Sequence, residues 1–292
     1  MTALRRQLAY RTAAACLLAA VPLATGSDTQ AQRFTARVDA VRIDVRVQRG
    51  GQPVTGLTAA DFDVRDKGVL QQVTIAASEA TPVDVTLALD VSGSVRGERL
   101  TRLRAAGLTL IDALQPTDHA ALITFASQVT LRQALTPRVA QLRTALDVRP
   151  ESGNTALIDA LQTAMVTAES GTGRPLVIVF SDGAETGSFL QTAAVEDTAR
   201  RMGMVVYGVT TSGTAPSALR SVARLTGGET SSADSSGRLD AQFARILDEF
   251  RHLYVLSYTP NGTPTPGWHD VTVRLKSAKG DVRARPGYLA SQ

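Results

Sequence analysis

From residue 83 onward, apolar runs alternate with amphipathic stretches. The runs at 83–89, 120–125, 176–180 and 205–209 lack the in-out alternation of a half-wet strand. They therefore predict buried parallel strands covered on both faces. Residues 129–134 closely follow the second run and are expected to form a short antiparallel edge strand. Helical spacing between the runs predicts helices at 98–114, 138–146, 155–168, 190–202 and 216–225. Leu100, Leu103, Gly107, Leu110 and Leu114 put one stripe of the first helix on the sheet, and Pro116 stops it. A second stripe, Leu239, Phe243, Ile246, Leu247, Phe250 and Leu253, predicts a last helix at 238–252.

The flanks have a different period. Val41, Ile43, Val45 and Val47 alternate with polar residues, as in a strand with one wet face. Gly50-Gly51 turns the chain, and Thr58 with Asp61 has the spacing of a capping box for one short helical turn. Phe62–Val64 and Val73–Ile75, placed around Lys67-Gly68, read as a hairpin. After residue 253 the composition returns to β, with strands expected at 254–258, 270–276 and 282–285. So short a β segment at 33–78 makes a poor core alone, and its expected partner is the segment at 253–289. The fold class that follows is α/β: a doubly wound, mostly parallel sheet at 83–252 with helices on both faces, plus a small β-sandwich built from the N- and C-terminal strands.

Composition adds little, since 43% hydrophobic and 20% charged residues describe an ordinary globular α/β chain. The formal charge of +4 would matter more if it survived processing. Residues 1–26 carry Arg5, Arg6 and Arg11, an apolar stretch at 13–23 and then Ala24-Thr25-Gly26, the layout of a cleavable secretory signal, with an uncleaved anchor as the alternative. The apolar stretch falls short of the ~20 residues of a membrane span, so no span is expected in the mature chain. Setting those three arginines aside leaves 28 basic against 27 acidic residues, which is no footprint of a nucleic-acid binder. The one cysteine, Cys16, leaves with the segment. The mature protein is thus expected in the periplasm or outside the cell, without a thiol or disulfide.

Candidate chemistry sits in loops expected at the carboxyl ends of the buried strands, where open α/β sheets bind ligands. Asp90-Val91-Ser92-Gly93-Ser94 ends the run at 83–89. One carboxylate and two hydroxyls at alternate positions can aim hard oxygens at one point, which suits Mg2+. Ser152-Gly153-Asn154-Thr155 is a tight polar turn leading into a helix, and Ser181-Asp182-Gly183 directly follows the run at 176–180.

Asp-x-Ser-x-Ser, a distant Thr after a Gly turn and Ser-Asp-Gly after a buried strand together resemble the metal-ion-dependent adhesion site of von Willebrand factor A domains. The resemblance assigns Asp90, Ser92 and Ser94 to the first motif, Thr155 to the single-threonine motif and Asp182 to the last aspartate, with no departure. It implies that the hydroxyls ligate a divalent cation, Mg2+ with Mn2+ or Ca2+ as alternatives, while the aspartates hold it directly or through water. It also implies an open position for a Glu or Asp carboxylate of a partner protein. The flanking segments, with Pro53-Val54-Thr55-Gly56-Leu57-Thr58 and Tyr254-Val255-Leu256-Ser257-Tyr258, resemble a bacterial family of secreted von Willebrand factor A-related proteins.

Two other readings stay open: a structural or assembly component of the cell envelope with a purely stabilising cation, and a metal-dependent phosphoryl-transfer enzyme. The enzyme reading wants a second acid two residues after the nucleophile, where Ser92 stands. No Gly-x-Ser-x-Gly elbow surrounds Ser92 or Ser94, and no phosphate loop is present. His119, His252 and His269 lack metal-ligand spacing and are expected at the surface or at strand ends. Arg96, Arg99, Arg102 and Arg104 read as a solvated helix face, or alternatively as a cationic rim that steers an acidic partner. Asn261-Gly262-Thr263 fits a glycosylation acceptor or a hairpin turn.

Overall fold

The computed structural model describes residues 40–77, 81–211, 213–233, 239–261 and 265–290, and these fall within one compact unit. The expected signal at 1–26, with Cys16, lies outside the described residues, as do 33–39 of the first β segment and positions 262–263 of the Asn261 motif.

The parallel sheet comprises β6 (Val83–Asp90), β7 (His119–Phe125), β8 (Val129–Thr136), β9 (Arg174–Phe180), β10 (Val205–Thr210) and β11 (Thr230–Ser232). Its order is β11-β10-β9-β6-β7-β8, all parallel except β8 against β7. Every residue of β6 is buried, which is why its sequence shows no alternation. Alternate residues nevertheless serve different cores. Val85, Leu87 and Leu89 face α1 (Glu98–Asp112), α2 (Val139–Ala145) and α6 (Leu239–Arg251). Ala88, Ile123 and Val179 face α3 (Leu157–Ala168), α4 (Thr192–Arg201) and α5 (Ser217–Leu225). Gly107 lies where α1 meets Leu146; a Cβ there would stand 2.8 Å from Leu146 Cδ2. Among the described residues no helix is long and apolar enough to cross a membrane.

The remaining strands are β1 (Val41–Arg49), β2 (Gln52–Pro53), β3 (Phe62–Asp66), β4 (Val69–Leu70), β5 (Thr74–Ala77), β12 (Tyr254–Tyr258), β13 (Gly267–Leu275), β14 (Asp281–Ala284) and β15 (Gly287–Ala290). They form two antiparallel sheets, β14-β1-β12-β5 with β2 beside β1, and β15-β13-β3-β4. Each sheet mixes strands from both ends of the chain, and Ile43, Val45, Val47, Phe62, Val64, Leu256 and Val271 fill the space between. The Asp61 carboxylate accepts the Thr58 N–H at 2.7 Å, so the expected capping box opens a single 3-10 turn at Ala59–Asp61.

Two expectations need correction, and two short strands carry no signal in the sequence. The hairpin pairs β3 with β4, whereas β5 crosses to the other sheet and pairs with β12. The short strands β11 and β15 had no recognisable run. His269 is neither at the surface nor at a strand end: it is buried within β13. Its Nδ1 lies 2.7 Å from Asp66 Oδ1, and its Nε2 lies 2.7 Å from Thr265 O. The phenols of Tyr258 and Tyr288 donate to Asp66 Oδ2 at 3.0 and 2.8 Å. Burial, then the Asp66 carboxylate, push both phenols well up, so they remain donors. A buried aspartate in the sandwich is thereby fully hydrogen-bonded.

Candidate metal centre

Strand order reverses between β6 and β9, which run side by side with Leu89 opposite Phe180. Asp90 closes β6, and Ser181-Asp182 follows β9. The register therefore sets Asp90 beside Ser181, whose hydroxyl donates to Asp90 Oδ2 at 2.9 Å. Asp90 Oδ1 accepts the Ser92 N–H at 2.9 Å, which folds the loop back over the strand end. Ser92 Oγ lies 3.2 Å from Ser94 Oγ, and Ser94 Oγ donates to Asp182 Oδ1 at 2.7 Å. Asp90, Ser92, Ser94 and Asp182 thus form one continuous chain of contacts across two strand ends.

Thr155 arrives from a third loop. Gly153 takes φ 115, a left-handed turn in which Asn154 N–H reaches Ser127 Oγ at 2.9 Å. Ala156 N–H reaches Ala126 O at 2.8 Å, so the turn hangs from the end of β7. Thr155 stands two residues before α3 and makes no helix cap. The Cβ position of Gly183 is 3.5 Å from Thr155 Oγ1 and 4.0 Å from Ser94 Oγ. The fold therefore brings all five sequence-predicted site residues to one end of the sheet.

Charge at this end is poorly balanced. Asp90 is 0% exposed and the Asp182 side chain 1%. Burial pushes the Asp90 carboxyl above its ordinary value; hydrogen bonds from Ser92 and Ser181 oppose this, and the charge of Asp182 adds to it. The cation at hand is Arg99, 58% exposed, whose Nη1 is 3.1 Å from Asp182 Oδ2. This corrects the reading of a uniformly solvated arginine face: Arg102 pairs with Glu98 and Arg104 with Asp147, but Arg99 reaches into the site. Among the described residues no group of three or more His, Cys, Asp or Glu is gathered. The donor set is instead two carboxylates and three hydroxyls, all hard oxygens, which fits Mg2+ or a similar divalent cation.

Two further residues of this end carry no sequence signal of their own. Ser181 is visible only as the residue before Asp182, and its bond to Asp90 depends on strand register. Glu185 stands in a loop without any motif around it. Burial penalises its charge, but hydrogen bonds from Ser188, Ile158 and Gly187 outweigh that and hold its carboxyl below the ordinary value.

The family model for the von Willebrand factor type A domain matches residues 84–244, more than half of the chain. No curated protein is a significant sequence match. Among solved structures the fold is similar to a von Willebrand factor type A protein from Catenulispora acidiphila, at 12% identity and TM-score 0.54, over 86% of this chain and 72% of that one. It is also similar to proximal thread matrix protein 1 from the mussel byssus in a form with a zinc-occupied MIDAS motif, at 18% identity and TM-score 0.52, over 63% of this chain. The PilB minor pilin from Streptococcus sanguinis aligns at 13% identity and TM-score 0.50, over 59% of this chain. The matches span 49% of the mussel protein and 62% of the pilin, and at these identities they carry the fold alone. On the strength of the family match, the chain belongs to the von Willebrand factor type A domain family.

Proposed function

We propose that this protein is an exported binding module that uses a divalent cation, Mg2+ in the first instance, to dock an acidic residue of a partner protein. The observation that carries the reading is the meeting of two buried carboxylates and three hydroxyls at the β6/β9 strand ends, with the exposed Arg99 guanidinium beside Asp182. Asp90, Ser92, Ser94, Thr155 and Asp182 would hold the cation. Bound there, it supplies an electrophilic position for a carboxylate oxygen. Asp90 would contribute negative charge while its loop stays fixed by the Ser92 N–H and Ser181. Ser92 and Ser94 contribute neutral oxygens, which leave much of the positive charge uncancelled for the arriving acid. Arg99, on the solvent side of Asp182, adds long-range attraction for the same acid.

The zinc-occupied motif of the similar mussel protein supports a cation here, and the pilin supports an extracellular setting. Both remain properties of those proteins. In this reading residues 1–26 direct export, 83–252 form the binding domain, and 33–78 with 253–289 form an accessory sandwich. The reading is binding in preference to phosphoryl transfer, because the position two residues after Asp90, where such a site wants a second acid, is Ser92.

The test is capture from the native cell envelope in Mg2+ and in chelator, with wild type and Asp90→Ala in parallel. The proposal expects a partner retained only by wild type and only with Mg2+. Equal capture by both proteins would refute it, and unfolding on chelation would point to the purely structural cation.

A further inference from the structure

Beside the metal centre the loop at 183–191 exposes one large aromatic side chain. Phe189 is 95% exposed, and Leu190 next to it is 39% exposed. A single apolar residue at the surface is ordinary. What distinguishes Phe189 is how firmly its backbone is held, and by what.

Asp159, in the first turn of α3, accepts the Phe189 N–H on Oδ2 and the Leu190 N–H on Oδ1, both at 2.9 Å. Glu185 Oε1 accepts the N–H groups of Gly187 and Ser188 at 2.8 and 2.7 Å, while Oε2 accepts the Ile158 N–H at 2.9 Å. The Ser188 hydroxyl takes the N–H groups of Ile158 and Asp159 at 3.0 and 3.2 Å. The amino end of α3 is thus satisfied by the loop, and the loop is fixed by α3. The same loop grips Thr155, whose N–H donates to Thr186 Oγ1 at 3.0 Å and whose carbonyl accepts the N–H groups of Thr186 and Gly187 at 3.1 and 3.2 Å. One clamp therefore positions both Thr155 and the backbone that carries the exposed ring. Thr155 and Asp159 are four residues apart, at most ~14 Å of chain, about half the ~30 Å width of the ~800 Å2 patch that one partner covers in an ordinary interface.

From this geometry we infer that Phe189 is a specificity-determining anchor: a protein partner places a carboxylate at the metal centre and packs an apolar side chain beside it against the Phe189 ring. The inference rests on the metal-dependent reading above and adds the second half of the recognised feature, an acidic residue with an apolar neighbour. An aromatic side chain has few rotatable bonds to immobilise when it is covered, and phenylalanine is enriched at protein interfaces. The clamp has already fixed the backbone on both sides of the ring.

The test uses a random peptide library displayed on phage and selected on the full wild-type chain in Mg2+. A selected peptide is then synthesised as the probe. It is expected to carry Asp or Glu with an aliphatic or aromatic residue close by. Its affinity should fall about tenfold on Phe189→Ser, with Mg2+ uptake and melting temperature unchanged, and vanish on Asp90→Ala. Equal affinity for wild type and Phe189→Ser, with Asp90→Ala inactive, overturns the anchor and leaves the metal-dependent reading standing. No Mg2+-dependent binder, or equal binding by Asp90→Ala, removes that reading and the anchor with it. Sedimentation showing a wild-type dimer that Phe189→Ser abolishes also overturns the assignment, because the ring then packs between two copies.

Discussion

The two ends of the parallel sheet treat acidic residues differently. At the amino ends of the strands Asp118, Glu249 and Asp44 each meet an arginine. Asp118, before β7, pairs with Arg251 of α6 and also accepts the N–H groups of Val83 and Gln115 at 2.9 and 2.7 Å. Glu249 of α6 meets Arg46 at 2.9 Å and the phenol of Tyr207 at 2.9 Å, and Arg46 also holds Glu229 at 2.8 Å. Arg174, at the start of β9, pairs with Asp44 at 2.7 Å while its guanidinium lies 4.5 Å from the centre of the Phe250 ring. At the carboxyl ends the side chains of Asp90 and Asp182 are buried, and among the described residues they meet hydroxyls, one backbone N–H and one exposed arginine, Arg99. Buried charge is stable when paired and costly when not. The arginine-paired end reads as a bolt between α6, the sheet and β1, whereas the other, where Asp182 has the exposed Arg99 and Asp90 meets no cation among the described residues, reads as a place kept for a cation from solution.

Breaking a bolt should give the largest effect. Arg251→Met leaves the Asp118 charge buried without its partner and is expected to cost about 3–5 kcal/mol in urea denaturation, with Mg2+ uptake per folded molecule unchanged. Acid should loosen the same end next. Burial disfavours charge on Asp118 and Glu229, but their arginines win and hold both carboxyls below the ordinary values of 3.8 and 4.5. Groups lowered in the folded state add stability above their unfolded values, and that stability disappears as pH falls through the folded ones. The urea midpoint should therefore drop as pH is taken below those ordinary values, and Arg251→Met should show a smaller drop than wild type.

Removing charge from the other end should cost far less. Asp90→Asn, measured without divalent cations, is expected to stay within ~1 kcal/mol of wild type, because it removes a burdened charge and keeps an acceptor for the Ser92 N–H. A loss as large as that of Arg251→Met would erase the contrast between the two ends. The smallest effect should come from Arg99→Gln, which removes a like charge from beside the cation. Mg2+ affinity should rise about three- to fivefold, read by titration at low salt, and the gain should shrink as salt is added.

Much of this was legible in the sequence for a physical reason. Strands buried on both faces must be apolar throughout, so β6, β7, β9 and β10 appeared as runs, and loops at their carboxyl ends could be searched for oxygen donors. Asp90, Ser92, Ser94, Thr155 and Asp182 are the oxygen donors of those loops, and the fold sets them together. The sandwich was less legible, because its pairings join residues far apart in the chain: nothing local to β5 says that it pairs with β12 instead of β3. His269 read as isolated because its partners, Asp66 and Tyr288, come from separate strands. Arg99 and the Glu185 clamp were hidden similarly, since an arginine on a helix and a glutamate in a loop declare no partner until the loops are folded.

The central claim is that the β6/β9 strand ends hold a divalent cation. Titration calorimetry of Mg2+ into the full chain, beside Asp90→Asn and Asp182→Asn, tests it most directly. The account predicts saturable binding to wild type at one ion per chain, with heats in both variants no larger than dilution. Wild-type heats no larger than dilution, or variants that bind as wild type does, would contradict it.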